Sequence, residues 1–192
     1  MKKTYTCLLA MAVLLAGCSK NEDPTETAEA EPTTIHDFMI QRIDPDADAI
    51  WEIGNAAISE DASIDPTLMS DKNWTDLKAA ADRMAGHSRA MATLDPLVVA
   101  KPGVKIVDEG IEGAPTAAMI NAHLKRDPDV FRALADSLTQ HATDLSAAAS
   151  AKDAAAAGRL INEMDGVCES CHLEFWYPEQ KELMERLGLL PE

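Results

Sequence analysis

The sequence predicts an all-α fold, an antiparallel bundle of four helices, and three observations carry that prediction. Apolar residues recur at steps of three and four in four separate segments, each about 20 residues long. No run alternates convincingly with the period of two that a strand requires. Proline, glycine and aspartate punctuate the breaks between the segments. No repeat at a fixed period is present, so a solenoid or array is excluded.

The first element is an address. Met1-Lys2-Lys3 is a short positive start, and residues 5–16 are mostly apolar. That stretch is too short to span a bilayer and reads as a signal peptide over residues 1–17. It ends in Leu15-Ala16-Gly17-Cys18, which resembles the lipobox of bacterial lipoproteins. The resemblance implies cleavage before Cys18 and a lipid on its thiol. With Ser19 rather than aspartate next, it favours the periplasmic face of the outer membrane over the inner. Ordinary signal cleavage, with Cys18 a bystander, is the alternative.

From Cys18 the mature chain has 175 of the 192 residues. Residues 18–33 hold the lipidated cysteine and an acidic, proline-containing stretch that cannot bury an apolar face, and they read as a disordered tether. Residues 34–192 are the size of one domain with a core of its own. Net charge is −16, and −18 once Lys2 and Lys3 leave with the signal. That excess argues against nucleic acid and against electrostatic binding to anionic lipid. It suits a basic protein partner or simple solubility.

The four helices follow in order. The first covers about residues 35–59, with Met39, Ile43, Ala47, Ile50 and Gly54 on its stripe. Asp44-Pro45 interrupts it: Asp44 suits an N-cap and Pro45 a first turn, giving a short helix and then a longer one, or else a kink. The second covers about 71–93, with Trp74, Leu77, Ala81, Met84, Ser88 and Met91. Residues 95–114, rich in Gly, Pro and Val, form a long loop, and Met119 to Leu124 add one or two helical turns. The third covers about 129–149, with Phe131, Leu134, Leu138, His141 and Leu145. The fourth covers about 153–175, with Leu160, Ile161, Met164, Val167, Cys168 and Cys171, and Pro178 sets its end. Residues 179–187 are long enough for a short terminal helix.

Cys168-Glu169-Ser170-Cys171-His172 on the fourth helix is the chemical centre. C-x-x-C-H is the attachment signature of c-type haem. Two thiols form thioethers with the haem vinyl groups, and an imidazole reaches the iron from the same side. On a helix the spacings i, i+3 and i, i+4 put all three on one face. His172 is then the proximal iron ligand. A structural zinc site would need four ligands, and the other histidines are scattered singly. A thioredoxin-like pair would need a βαβ setting, which is absent from the pattern. A plain disulfide is the third alternative. The cysteine count closes on the haem reading: Cys7 leaves with the signal, Cys18 carries lipid, and Cys168 and Cys171 carry haem.

A haem motif on the last of four helices resembles the class II cytochromes c, the cytochrome c′ and c-556 group, and especially its small exported proteobacterial members. The pattern Met39-x5-Pro45-x-Ala47-x3-Trp51 is similar to theirs near the start. Cys168-x-x-Cys171-His172-x2-Phe175-Trp176-Tyr177-Pro178 is similar at the end. The resemblance covers most of residues 34–178 and implies a four-helix bundle with one covalent haem near one end. In the c-556 type a methionine of the first helix fills the sixth iron position, and Met39 matches it. In cytochrome c′ that position is open, and small gases such as NO or CO bind. As an ordinary core residue, Met39 would simply pack on its stripe.

A His172/Met39 pair suits one-electron transfer between proteins, because a thioether stabilises ferrous iron and raises the potential. His36, Met84, His87, Met91, His123 and His141 are weaker distal candidates, since a lone His or Met at helical spacing usually packs. Arg42, one turn from Met39, is a candidate contact to a haem propionate, against the plain reading of a solvated arginine. Trp176 and Tyr177 are expected near the haem. No nucleophile elbow, phosphate loop or special carboxylate pair is present, so a carrier is expected rather than an enzyme. A gas-binding protein is the alternative, and a peroxidase with His141 or His36 over an open site is a third. A homodimer is left open.

Overall fold

The computed structural model describes residues 33–59, 63–112 and 114–188. The signal peptide, Cys18 and the tether up to residue 32 lie outside the described residues. Helix α1 (Ile35–Phe38) starts at Thr34, whose hydroxyl accepts the Asp37 N–H at 3.1 Å. A π turn (Met39–Ile43) carries it directly into α2 (Asp44–Ala56). A short helix followed by a longer one starting at Asp44 is therefore what the chain forms, but the N-cap role offered for Asp44 is corrected. Asp44 has helical dihedrals, its N–H bonds to the Met39 carbonyl five residues back, and its side chain caps nothing. Pro45 supplies the reason. It has no N–H, and its ring crowds the carbonyl four residues earlier. A widened turn accommodates both without breaking the rod.

Helix α3 (Asp71–Ala92) begins with a reciprocal capping box between Ser70 and Asn73. Thr116 caps α4 (Ala117–Arg126), and α5 (Pro128–Ala151) begins on a proline, whose missing N–H costs nothing there. Asp153 caps α6 (Ala154–Phe175), and α7 (Pro178–Leu187) follows after a two-residue break, Trp176 and Tyr177. Among the described residues the loop between α3 and α4 forms no strand. It folds back on the start of α1, where Ile35 and His36 donate N–H groups to the Val98 and Val99 carbonyls at 2.9 and 2.8 Å.

Helices α2, α3, α5 and α6 make the bundle. Ser88 on α3 meets Thr139 on α5, Asp82 meets Ser146, and Asp71 meets Lys152, so the two run antiparallel. Helix α6 runs antiparallel to α5, with Phe131 against Phe175 at one end and His141 bonded to the Leu160 carbonyl further along. Gly54 lets α2 approach α6 closely, since a Cβ there would lie 3.0 Å from the Ile161 side chain. The core divides in two. One cluster fills the middle of the bundle around Ile50, Leu77, Met84, Leu145 and Met164. The second, around Ile35, Phe38, Val99, Ile120, Phe131 and Phe175, lies towards α4 and the long loop. Each fully buried side chain of this size contributes about 1.5–3 kcal/mol by leaving water.

Candidate haem site

The site sits on the seam between those two clusters. Cys168 packs against the first and Cys171 against the second, while Met39 packs against both. Helix α6 makes this possible. Its inward stripe continues from Leu160 and Met164 through Val167 into the two cysteines, and the chain stays helical to Phe175. The carbonyl of His172 then accepts the N–H groups of Trp176 and Tyr177, both at 2.8 Å, which closes the helix end.

A small apolar cavity of about 40 Å³ lies against this helix. Val167, Cys168, Cys171, His172 and Trp176 form one wall. Ile35, Met39 and Ile43 form a second, and Met91 with Phe131, Leu134, Ala135 and Leu138 completes it. Two side clefts join the same region. One holds His36, Ile40, Ile106, Val107, Asp108 and Tyr177; the other holds Ala47, Asp48, Trp51, Asp165 and Glu169. Met39, Asp44 and His172 belong to both side clefts, and Met39 and His172 to the cavity as well.

The imidazole of His172 has two near neighbours. Its Nδ1 lies 3.9 Å from Glu169 Oε2, one turn back, and the Trp176 ring lies 6.0 Å away, centre to centre, tilted by 56°. Both thiols are half-buried and not joined in a disulfide. Burial, then the nearby Asp165, Asp44 and Glu169, pushes the Cys168 thiol up to about 11. Burial, then Cys168 and Glu174, pushes Cys171 up to about 12. Both are therefore neutral at pH 7 and poor thiolate nucleophiles. Partial burial, then Asp48, raises the Asp44 carboxyl, while His172 and His36 oppose the rise.

These residues fit a covalently attached haem. Two thiols and an imidazole leave one helix face beside an apolar cavity, and a thioether lines the same space. Zinc fits poorly, because a structural zinc site takes four ligands. Among the described residues no group of three or more His, Cys, Asp or Glu is placed to hold an ion.

The weaker distal candidates separate. His87 Nδ1 meets Asp46 Oδ2 at 2.8 Å, His123 Nδ1 meets the Phe175 carbonyl at 2.9 Å, and His141 Nε2 meets the Leu160 carbonyl at 2.8 Å. Each is held by a structural partner. Met84 is fully buried in the mid-bundle core, whereas Met91 and His36 do reach the site. Arg42 is half-buried one turn from Met39 and lines neither the cavity nor the two side clefts. Trp176 and Tyr177 line the cleft that holds Met39 and His172. Sequence reasoning missed Ile106, Val107 and Asp108, which the long loop delivers to one cleft, because no periodicity marks a loop residue's position.

Residues 108–176 match the family model described as Cytochrome C′. The matched stretch is a little over a third of the chain, runs through α4, α5 and α6, and includes Cys168, Cys171 and His172. No curated protein and no solved structure matched the chain. The match supports a c-type haem protein of the cytochrome c′ type, with haem c as the cofactor that such a family implies.

Proposed function

We propose that the chain is a lipid-anchored periplasmic cytochrome carrying one covalent haem c and passing single electrons between proteins, without catalysing a reaction of its own. Cys168 and Cys171 hold the group, His172 ligates the iron from α6, and Met39 ligates it from the π turn. A haem so bound supplies a one-electron ferric/ferrous couple. The observation that carries this reading is the shared position of Met39 and His172 in the cavity and both side clefts. The apolar walls keep water from the group and lower the local dielectric, and the Trp176 ring lies near the His172 imidazole. Anchoring through Cys18 rests on the lipobox resemblance.

A second reading has its own support. The family description is Cytochrome C′, and the cavity beside Met39 is lined mainly by aliphatic side chains, which suits a small apolar gas. The two readings part on one measurement: optical spectra of the oxidised and reduced protein, with and without CO, beside a Met39→Ala variant. A ferric band at about 695 nm, lost in the variant, supports His172/Met39 ligation and electron transfer. A high-spin spectrum that takes up CO and ignores the substitution supports gas binding instead.

A further inference from the structure

The two side clefts open on a surface with a distinct chemistry. On one, Ile40 is 45 % exposed and Val107 72 % exposed, two aliphatic side chains beside Met39 and His172. On the other, Asp48, Asp165 and Glu169 stand at the rim, and Asp44 lies between the two. Among the described residues no lysine or arginine lines either cleft. The chain as a whole carries −16.

We infer that this mouth is the docking surface for a redox protein whose contact face is apolar at its centre and rimmed by lysine or arginine. The inference rests on the electron-transfer reading and adds the place and the partner's chemistry. An apolar centre with a charged rim is the usual anatomy of a protein interface. Transient redox encounters need only a small buried area, so two exposed aliphatic residues and a few charges suffice. One-signed carboxylates at a cleft mouth attract a cationic face and steer its approach, while repelling anionic lipid and nucleic acid. The location matters as much as the charge, because both clefts reach His172 and Met39. A partner seated there lies against the walls of the redox group instead of across the bundle.

The test uses the full haem-loaded protein and a lysine-rich monohaem cytochrome of the mitochondrial type as the probe, mixed in whichever direction the potentials favour. One electron leaves the ferrous protein and reduces the ferric probe, or the reverse; no bond forms and no proton moves. The wild-type rate is expected to fall about tenfold or more between ~10 mM and ~500 mM salt. In Asp48→Lys/Asp165→Lys the low-salt rate is expected to drop about tenfold and the salt dependence to flatten or reverse. Val107→Ser should slow transfer about two- to fivefold at every salt concentration. Optical spectra of each variant check that ligation is intact. A His/Met spectrum with a rate indifferent to salt and to charge reversal overturns the surface and leaves the electron-transfer reading standing. A high-spin, CO-binding wild type overturns both.

Discussion

Glu169 Oε2 lies 3.9 Å from His172 Nδ1, one turn apart on α6. A ring nitrogen not bound to iron usually faces a carboxylate, carbonyl or water that fixes its tautomer and raises ligand basicity. A negative charge there favours ferric iron. Glu169→Gln is therefore expected to raise the midpoint potential by tens of millivolts, on the order set by one charge in a partly solvated setting. Spectroelectrochemistry reads it, and an unchanged potential would show that solvent screens this carboxylate completely.

The four helices were legible because burial and helical period coincide. Trp74, Leu77, Ala81 and Met84 step by three and four, and all are buried. The cysteine–histidine motif was legible through its own spacing, C-x-x-C-H, and it continues the stripe of α6. Phe131, Leu134 and Leu138 were read as inward-facing, yet nothing in their spacing says that they wall the cavity. That depends on how α5 packs against α6, which is a tertiary fact. The π turn left only a faint trace. Met39, Ile43 and Ala47 step by four and four, a spacing that drifts around an α-helix and that one widened turn brings back to the core face.

Pro45 is the residue that ties this turn to the site. Replacing it with alanine restores an N–H and removes the ring clash that a regular helix would suffer. Pro45→Ala is expected to relax the π turn towards regular α-helix, rotating Met39 away from the seam while holding or raising thermal stability. Weakening of the ~695 nm feature without a fall in the unfolding temperature is the expected signature. An unchanged spectrum would show that neighbouring packing, not the proline, sets the turn.

Two glycines should respond in opposite directions. A Cβ at Gly158 on α6 would lie 3.0 Å from the backbone nitrogen of Ile64, which cannot swing aside. Gly158→Ala is expected to destabilise the fold by about 1–3 kcal/mol. At Gly86 on α3 a Cβ meets nothing within 4 Å, so Gly86→Ala should stabilise by up to about 1 kcal/mol through helix propensity. Urea unfolding of both variants measures the contrast.

The thiols of the haem-free protein should react slowly. Burial holds Cys168 at about 11 and Cys171 at about 12, so the thiolate fraction at pH 8 is small. Labelling by a disulfide reagent is expected to be about a hundredfold slower in the folded apoprotein than in denaturant. Rapid labelling in the folded state would mean that α6 opens readily when the haem is missing.

Asp82 gives the pH dependence. Hydrogen bonds from Lys78 and then Ser146 hold its carboxyl below the usual range, against a smaller opposing effect of burial, and the Ser146 bond joins α3 to α5. Because the folded value lies below the unfolded value of about 3.9, the stabilisation is fully present above that pH. It is lost as pH falls through the lower, folded value. Its size is modest: the Asp82 side chain is 52 % exposed, so solvent screening keeps the contribution below about 1 kcal/mol. Asp82→Asn should therefore lower stability slightly at pH 7 and leave it nearly equal to wild type near pH 2. Urea midpoints at the two pH values give the comparison, and an equal loss at both would assign the effect to packing at Ser146 instead of charge.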